Sequence, residues 1–192
     1  MKQTTIIVLV LGALLLGGVV GVYMTTMSNQ EPESNDSVAV MDHGDSMHVT
    51  SEKAFLEGMI PHHQEAIDTA REVLARGGTT EEIRTLATNV VAAQESEVAS
   101  MKEWYRAWYD VPYTPSPMYM SMMRELEPLS GTAIDRAFLE DMIGHHQGAI
   151  AMAESVRPYI EHTEITLLAN AVVETQTAEI LEMKRLLSTL PE

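Results

Sequence analysis

The stretch MIPHHQEAIDTA, Met59 to Ala70, sets two adjacent histidines in the middle of an apolar helical face, and MIGHHQGAIAMA, Met142 to Ala153, sets two more in the same place. The likeness extends well beyond these segments. Phe55-Leu56-Glu57, Met59-Ile60 and His62-His63-Gln64 return 83 positions later as Phe138-Leu139-Glu140, Met142-Ile143 and His145-His146-Gln147. Farther along, Leu86-Ala87, Val90-Val91, Gln94, Glu97 and Met101 match Leu168-Ala169, Val172-Val173, Gln176, Glu179 and Met183 at an offset of 82, so one residue was gained or lost in a loop. Each copy reads as a helical hairpin. One hairpin cannot bury its apolar face alone, so two hairpins joined by a long crossover imply an all-α four-helix bundle, whereas a solenoid would need more copies.

Local signals divide the bundle. Ala75-Arg76-Gly77-Gly78 stops the first helix, and Thr79 with Glu82 reads as a capping box for the second. The second helix runs to about Asp110, where Val111-Pro112 and the following YTPSP hold the chain extended. A short helix is expected over Met118 to Pro128. Thr132 and Asp135 read as the cap of a third helix that Pro158 ends, and a fourth occupies Thr163 to Leu190. The expected domain therefore spans 51–192, with hairpins at about 51–110 and 132–190 and a crossover at 111–131.

Upstream, residues 1–27 read as an export signal or membrane anchor. The apolar run Ile6 to Met24 covers 19 residues, near the ~20 that span a bilayer and longer than the core of a cleaved signal. An uncleaved anchor at residues 6–24 is the favoured reading, with cleavage as the alternative. Lys2 before the run and acids after it put the domain in an extracytoplasmic space, periplasmic or cell-surface. Residues 28–50 read as a flexible tether ending in a soft-ligand cluster, Met41, His43, Met47 and His48.

Composition narrows the chemistry. With 28 acidic against 12 basic residues, a formal charge of −16, nucleic acid is not an expected partner, while cations suit the surface. There is no cysteine, so disulfides, thiolate ligands and cysteine nucleophiles are excluded. Fourteen methionines leave thioether sulfur beside nitrogen and oxygen as possible donors.

The histidines fall on the seam. Leu56, Ile60, His63, Ile67, Ala70 and Leu74 keep the four-and-three spacing of a buried face, and His62 flanks it beside Phe55, Met59 and Ala66. The third helix repeats the pattern around His145 and His146. The second and fourth carry Gln94, Glu97 and Met101, and Gln176, Glu179 and Met183, on their apolar stripes. Polar groups at core positions must find each other, so histidine pairs from two helices are expected to face glutamates from the other two. Met59 and Met142 lie one turn before their histidines. Imidazole with thioether and no thiolate suits copper, and copper(I) in particular. Adjacent residues point about 100° apart on a helix, so one histidine of each pair ligates while its neighbour meets a carboxylate. The methionines of the crossover, Met118, Met120, Met122 and Met123, suit either a soft ion or adaptable packing.

The segments FLEGMIPHHQEAIDTA and FLEDMIGHHQGAIAMA, each followed by Gln-x-x-Glu-x-x-x-Met, resemble the family called domain of unknown function 305, over about Ser51 to Leu190. The resemblance implies a ferritin-like four-helix bundle and, from some exported members, copper binding and copper tolerance. Carried over by motif, it implies a site at Met59, His62, His63, Glu97 and Met101 in one copy and at Met142, His145, His146, Glu179 and Met183 in the other. Gly58 and Pro61 stand against Asp141 and Gly144, so the two sites differ. The expected function is extracytoplasmic copper buffering, relay or tolerance, without turnover, with copper exchange to a protein partner. A bundle whose buried His-Glu pairs only set helix register, or bind a partner, is the alternative. A di-iron oxidase would want Glu-x-x-His on two helices, and no such motif occurs; nor does His-Glu-x-x-His or a nucleophile motif for hydrolysis.

Overall fold

A computed structural model describes residues 47–191, and these form four α-helices with no strand among them. They are α1 (Glu52–Arg76), α2 (Glu81–Tyr109), α3 (Thr132–Val156) and α4 (Thr163–Thr189), with a single 3-10 turn, Arg157–Tyr159, after α3. Within the described residues no helix is long and apolar enough to cross a membrane. The expected anchor and Met41 and His43 of the tether lie outside the described residues.

Both hairpins follow the expected punctuation, with three corrections. The Ser51 hydroxyl caps α1 by accepting the Ala54 N–H at 3.0 Å. At α2 the cap is Thr80, one residue after the expected Thr79, and it accepts from Ile83 N–H. At α3 the preceding residue is Gly131, with no side-chain cap, so Thr132 and Asp135 do not cap the helix. The expected short helix at 118–128 is absent: this stretch is irregular and turn-containing. Helical backbone bonds there are replaced by side-chain acceptors described below. Pro61 lies inside α1, which nonetheless runs unbroken; the ~3 kcal/mol that an internal proline costs is offset by the buried stripe of Leu56, Ile60 and Ile67 around it.

Asp135 has another task. Its fully buried carboxylate accepts the backbone N–H groups of Gly78 at 2.6 Å and Thr79 at 2.8 Å, tying the α1–α2 loop to the start of α3. The loop must run close to that helix, since a Cβ on Gly77 would fall 2.7 Å from both Asp135 Oδ1 and Ile134 Cγ2. The other copy repeats the device. Glu52, 83 positions before Asp135, is also buried and accepts the N–H groups of Glu161 at 2.7 Å and His162 at 2.8 Å in the α3–α4 loop. Each hairpin thus holds the loop of its twin.

The apolar core is in two parts. One joins the C-terminal halves of α1 and α4 to the N-terminal halves of α2 and α3, through residues such as Ala70, Val73, Ile83, Phe138, Met142, Met183 and Leu186. The other joins the opposite halves, through Phe55, Leu56, Met59, Met101, Ala153, Ile165 and Val172. Exchanging the copies carries one cluster onto the other, so the duplicated hairpins are related by a near-twofold axis between them. Across that middle level lies a layer of polar side chains.

Candidate metal centre

The middle layer is built from equivalent residues of the two copies. His62, His63, His145 and His146 are at most 1 % exposed, and Gln94 and Gln176 are buried beside them. His63 Nε2–H donates to Glu97 Oε2 at 2.9 Å, and His146 Nε2–H donates to Glu179 Oε2 at 2.7 Å. A carboxylate only accepts, which fixes the hydrogen on Nε2 and leaves Nδ1 of a neutral ring as a lone pair. Both Nδ1 atoms are buried without a hydrogen-bond partner. This is the arrangement in which a carboxylate orients a ligating histidine. The expected division within each pair therefore holds: the second histidine meets a glutamate, and the first does not.

His62 and His145 meet each other across the near-twofold axis. Their ring centroids are 3.6 Å apart with planes at 31°, and neither ring nitrogen of either residue has a hydrogen-bond partner. Two charged rings could not rest so close. Burial, and then the neighbouring histidines, hold His62 well below the usual imidazole range. Burial also lowers His145, partly opposed by the Glu65 carboxylate 3.4 Å from its Nε2. Neutral imidazole is the form that binds a metal.

Glu65 is the residue that motif reasoning missed. It accepts the N–H groups of Met122 at 2.8 Å and Met123 at 2.9 Å, the Tyr119 hydroxyl at 2.5 Å and the Ser121 hydroxyl, and so straps the crossover onto α1. Burial works to raise its carboxyl, but hydrogen bonding with His145, Ser121, Tyr119 and Met123 outweighs it and holds the group at about 2. Burial and then Glu65 push the Tyr119 hydroxyl up. The signal was present in the sequence as a mismatch: Glu65 stands where the second copy has Gly148.

The structure distributes the other expected site residues around this layer. Met59 and Met101 lie fully buried in one apolar cluster, and Met142 and Met183 in the other. They are placed with aliphatic and aromatic neighbours above and below the histidines. Glu97 and Glu179 reach the layer from α2 and α4, each with 23 % of its side chain exposed, so the layer opens to solvent at two edges. Among the described residues, no three His, Asp or Glu side chains form a group that could hold a metal ion. Nitrogen and oxygen donors alone do not assemble a site here.

A family model described as a domain of unknown function, DUF305, matches residues 52–187. The chain belongs to the DUF305 family. No curated protein matches it. Among solved structures, this DUF305 chain is similar to CopM in a silver-bound form, with 32% identity over 75% of this chain and 100% of that one, at a TM-score of 0.66. It is similar to CopM in the Cu(I)-bound form, with 34% identity over 71% of this chain and 95% of that one, at 0.63. A protein of Streptomyces coelicolor described as a secreted DUF305 protein matches with 28% identity over 72% of this chain and 93% of that one, at 0.64.

Proposed function

We propose that this DUF305 protein binds copper in an extracytoplasmic space and buffers or relays the ion without turning over a substrate. The observation that carries this reading is the buried layer of four histidines with six ring nitrogens lacking partners. Such nitrogens cost about 1–3 kcal/mol each when left unpaired, and a fold does not keep six of them in one layer for packing alone. A bound ion would satisfy them. The nearby thioethers and the absence of thiolate favour copper over zinc or iron. CopM, solved with Cu(I) and with silver, supports the same assignment. In this reading residues 6–24 anchor the chain, residues 28–50 tether it, and the bundle delivers copper to a protein partner. Met59, Met101, Met142 and Met183 supply soft surroundings to the histidines and glutamates.

The test is a copper(I) titration of the full chain, held in mild detergent, against a competing chelator, with zinc(II) and iron(II) as controls. Copper(I) binds tightest, and the His62→Ala/His145→Ala variant loses it. Glu97→Gln/Glu179→Gln, which removes only the orienting carboxylates, weakens it by about 10–100-fold. Copper held no tighter than the controls, or held equally by the histidine variant, would make the layer a register device and overturn the proposal.

A further inference from the structure

The duplicated copies differ at one position that decides what faces the histidine pair. Glu65 of the first copy approaches His145, with its Oε2 3.4 Å from Nε2. Its counterpart in the second copy would approach His62, but that counterpart is Gly148 and has no side chain. The space is not left to solvent. A Cβ placed on Gly148 would lie 3.3 Å from His62 Nε2, 3.3 Å from the Met122 methyl and 3.6 Å from Met47 Sδ. One imidazole nitrogen and two thioether side chains therefore converge on a single point. Met47 comes from the end of the tether and Met122 from the crossover, so two segments outside the helices close over the glycine. His62 Nε2 is buried and has no hydrogen-bond partner, and thioether sulfur is a poor substitute for one.

We infer that His62 Nε2, Met47 Sδ and Met122 Sδ form a binding site for a soft monovalent cation, copper(I) or silver(I), seated over Gly148. The inference rests on the copper reading above and assigns it a ligand set. Nitrogen and thioether donors select soft ions. All three ligands are neutral, and a buried divalent ion among neutral ligands would keep two uncompensated charges where a monovalent ion keeps one. The opposite face, His145 with the anionic Glu65, lacks thioethers and presents a carboxylate. Duplication followed by the Glu65/Gly148 difference has given one histidine a hard neighbour and the other two soft ones. The crossover adds an approach route, because Met118 and Met120 stand 82 % and 77 % exposed on the segment that ends at Met122. Sequence reasoning placed Met47 and Met122 among possible soft ligands but had no means of joining them to His62.

The test is X-ray absorption at the copper edge on the full chain loaded with one equivalent of copper(I), together with the competition titration. The Met47→Leu/Met122→Leu variant keeps side-chain volume and loses copper-sulfur scattering. The Gly148→Ala variant keeps every donor, suits a helix better than glycine does, and plugs the point of convergence. Both weaken copper(I) by at least about tenfold, while helical circular dichroism is unchanged. Wild-type affinity and sulfur scattering in both variants would overturn this site; if the His62→Ala/His145→Ala variant then loses copper, the copper reading survives without it. Failure of the wild-type chain to bind copper(I) above its controls would overturn both.

Discussion

His62 and His145 are the residues on which the account turns, because each buries a titratable ring against its own duplicate at 3.6 Å. Their folded-state proton affinities are lowered, so the unfolded chain, with imidazoles near 6.5, binds protons that the bundle refuses. The stability they contribute is fully present above that value and is lost as pH falls below it. Between about pH 7.5 and 5.5 the apo protein should lose about 1–3 kcal/mol, read from urea midpoints at each pH. The His62→Leu/His145→Leu variant should flatten that dependence, and an equally steep wild-type-like curve in it would place the titrating groups elsewhere. Glu65 acts lower on the scale: its carboxyl is held at about 2, so its contribution is present above the ordinary carboxylate value near 4.5 and disappears as pH falls toward 2. Spacing alone put the histidines on the core face and paired the second of each with a glutamate. It did not show that the first of each would stack on its twin, since contact between duplicated residues depends on where the near-twofold axis passes.

At the scale of elements, the two loop clamps hold the hairpins in register. Asp135 satisfies two backbone donors of the α1–α2 loop from a fully buried position, and Glu52 does the same for the α3–α4 loop. The second clamp includes His162, which donates from Nδ1 to Glu52 Oε2 at 2.6 Å, stacks on Trp108 at 3.8 Å and stays 36 % exposed, so water can relieve its loss. Asp135→Ala should therefore lower stability by about 2–4 kcal/mol and Glu52→Ala by about half as much, measured by thermal or urea unfolding. The reverse order would mean that solvent access does not set the cost. These clamps show why helix ends were the least legible part of the sequence. Helix spans followed from apolar period and from glycine and proline, but Asp135 looked like a local cap when its partners lie 57 and 56 positions away. The crossover misled for the same reason. Its backbone donors at Met122 and Met123 are satisfied by Glu65 of α1, so it has no need to form the helix its own residues suggest.

For the whole molecule, the duplication told the architecture and the position of the polar layer, and the resemblance told the family. The asymmetry of the layer was written in the sequence as Glu65 against Gly148, but its meaning needed the folded chain, because Met47 and Met122 approach from segments with no helical period to place them. The bundle is thus two apolar clusters separated by a sheet of imidazoles, open at its edges beside Glu97 and Glu179 and covered on one face by methionine. The measurement that tests the central claim most directly is nitrogen NMR of the imidazole rings in the full chain, followed as one equivalent of copper(I) is added. The account predicts that ring nitrogens of the buried layer, His62 foremost, shift strongly while those of His162 stay in place. Shifts confined to the tether histidines, with His62, His63, His145 and His146 unmoved, would contradict it.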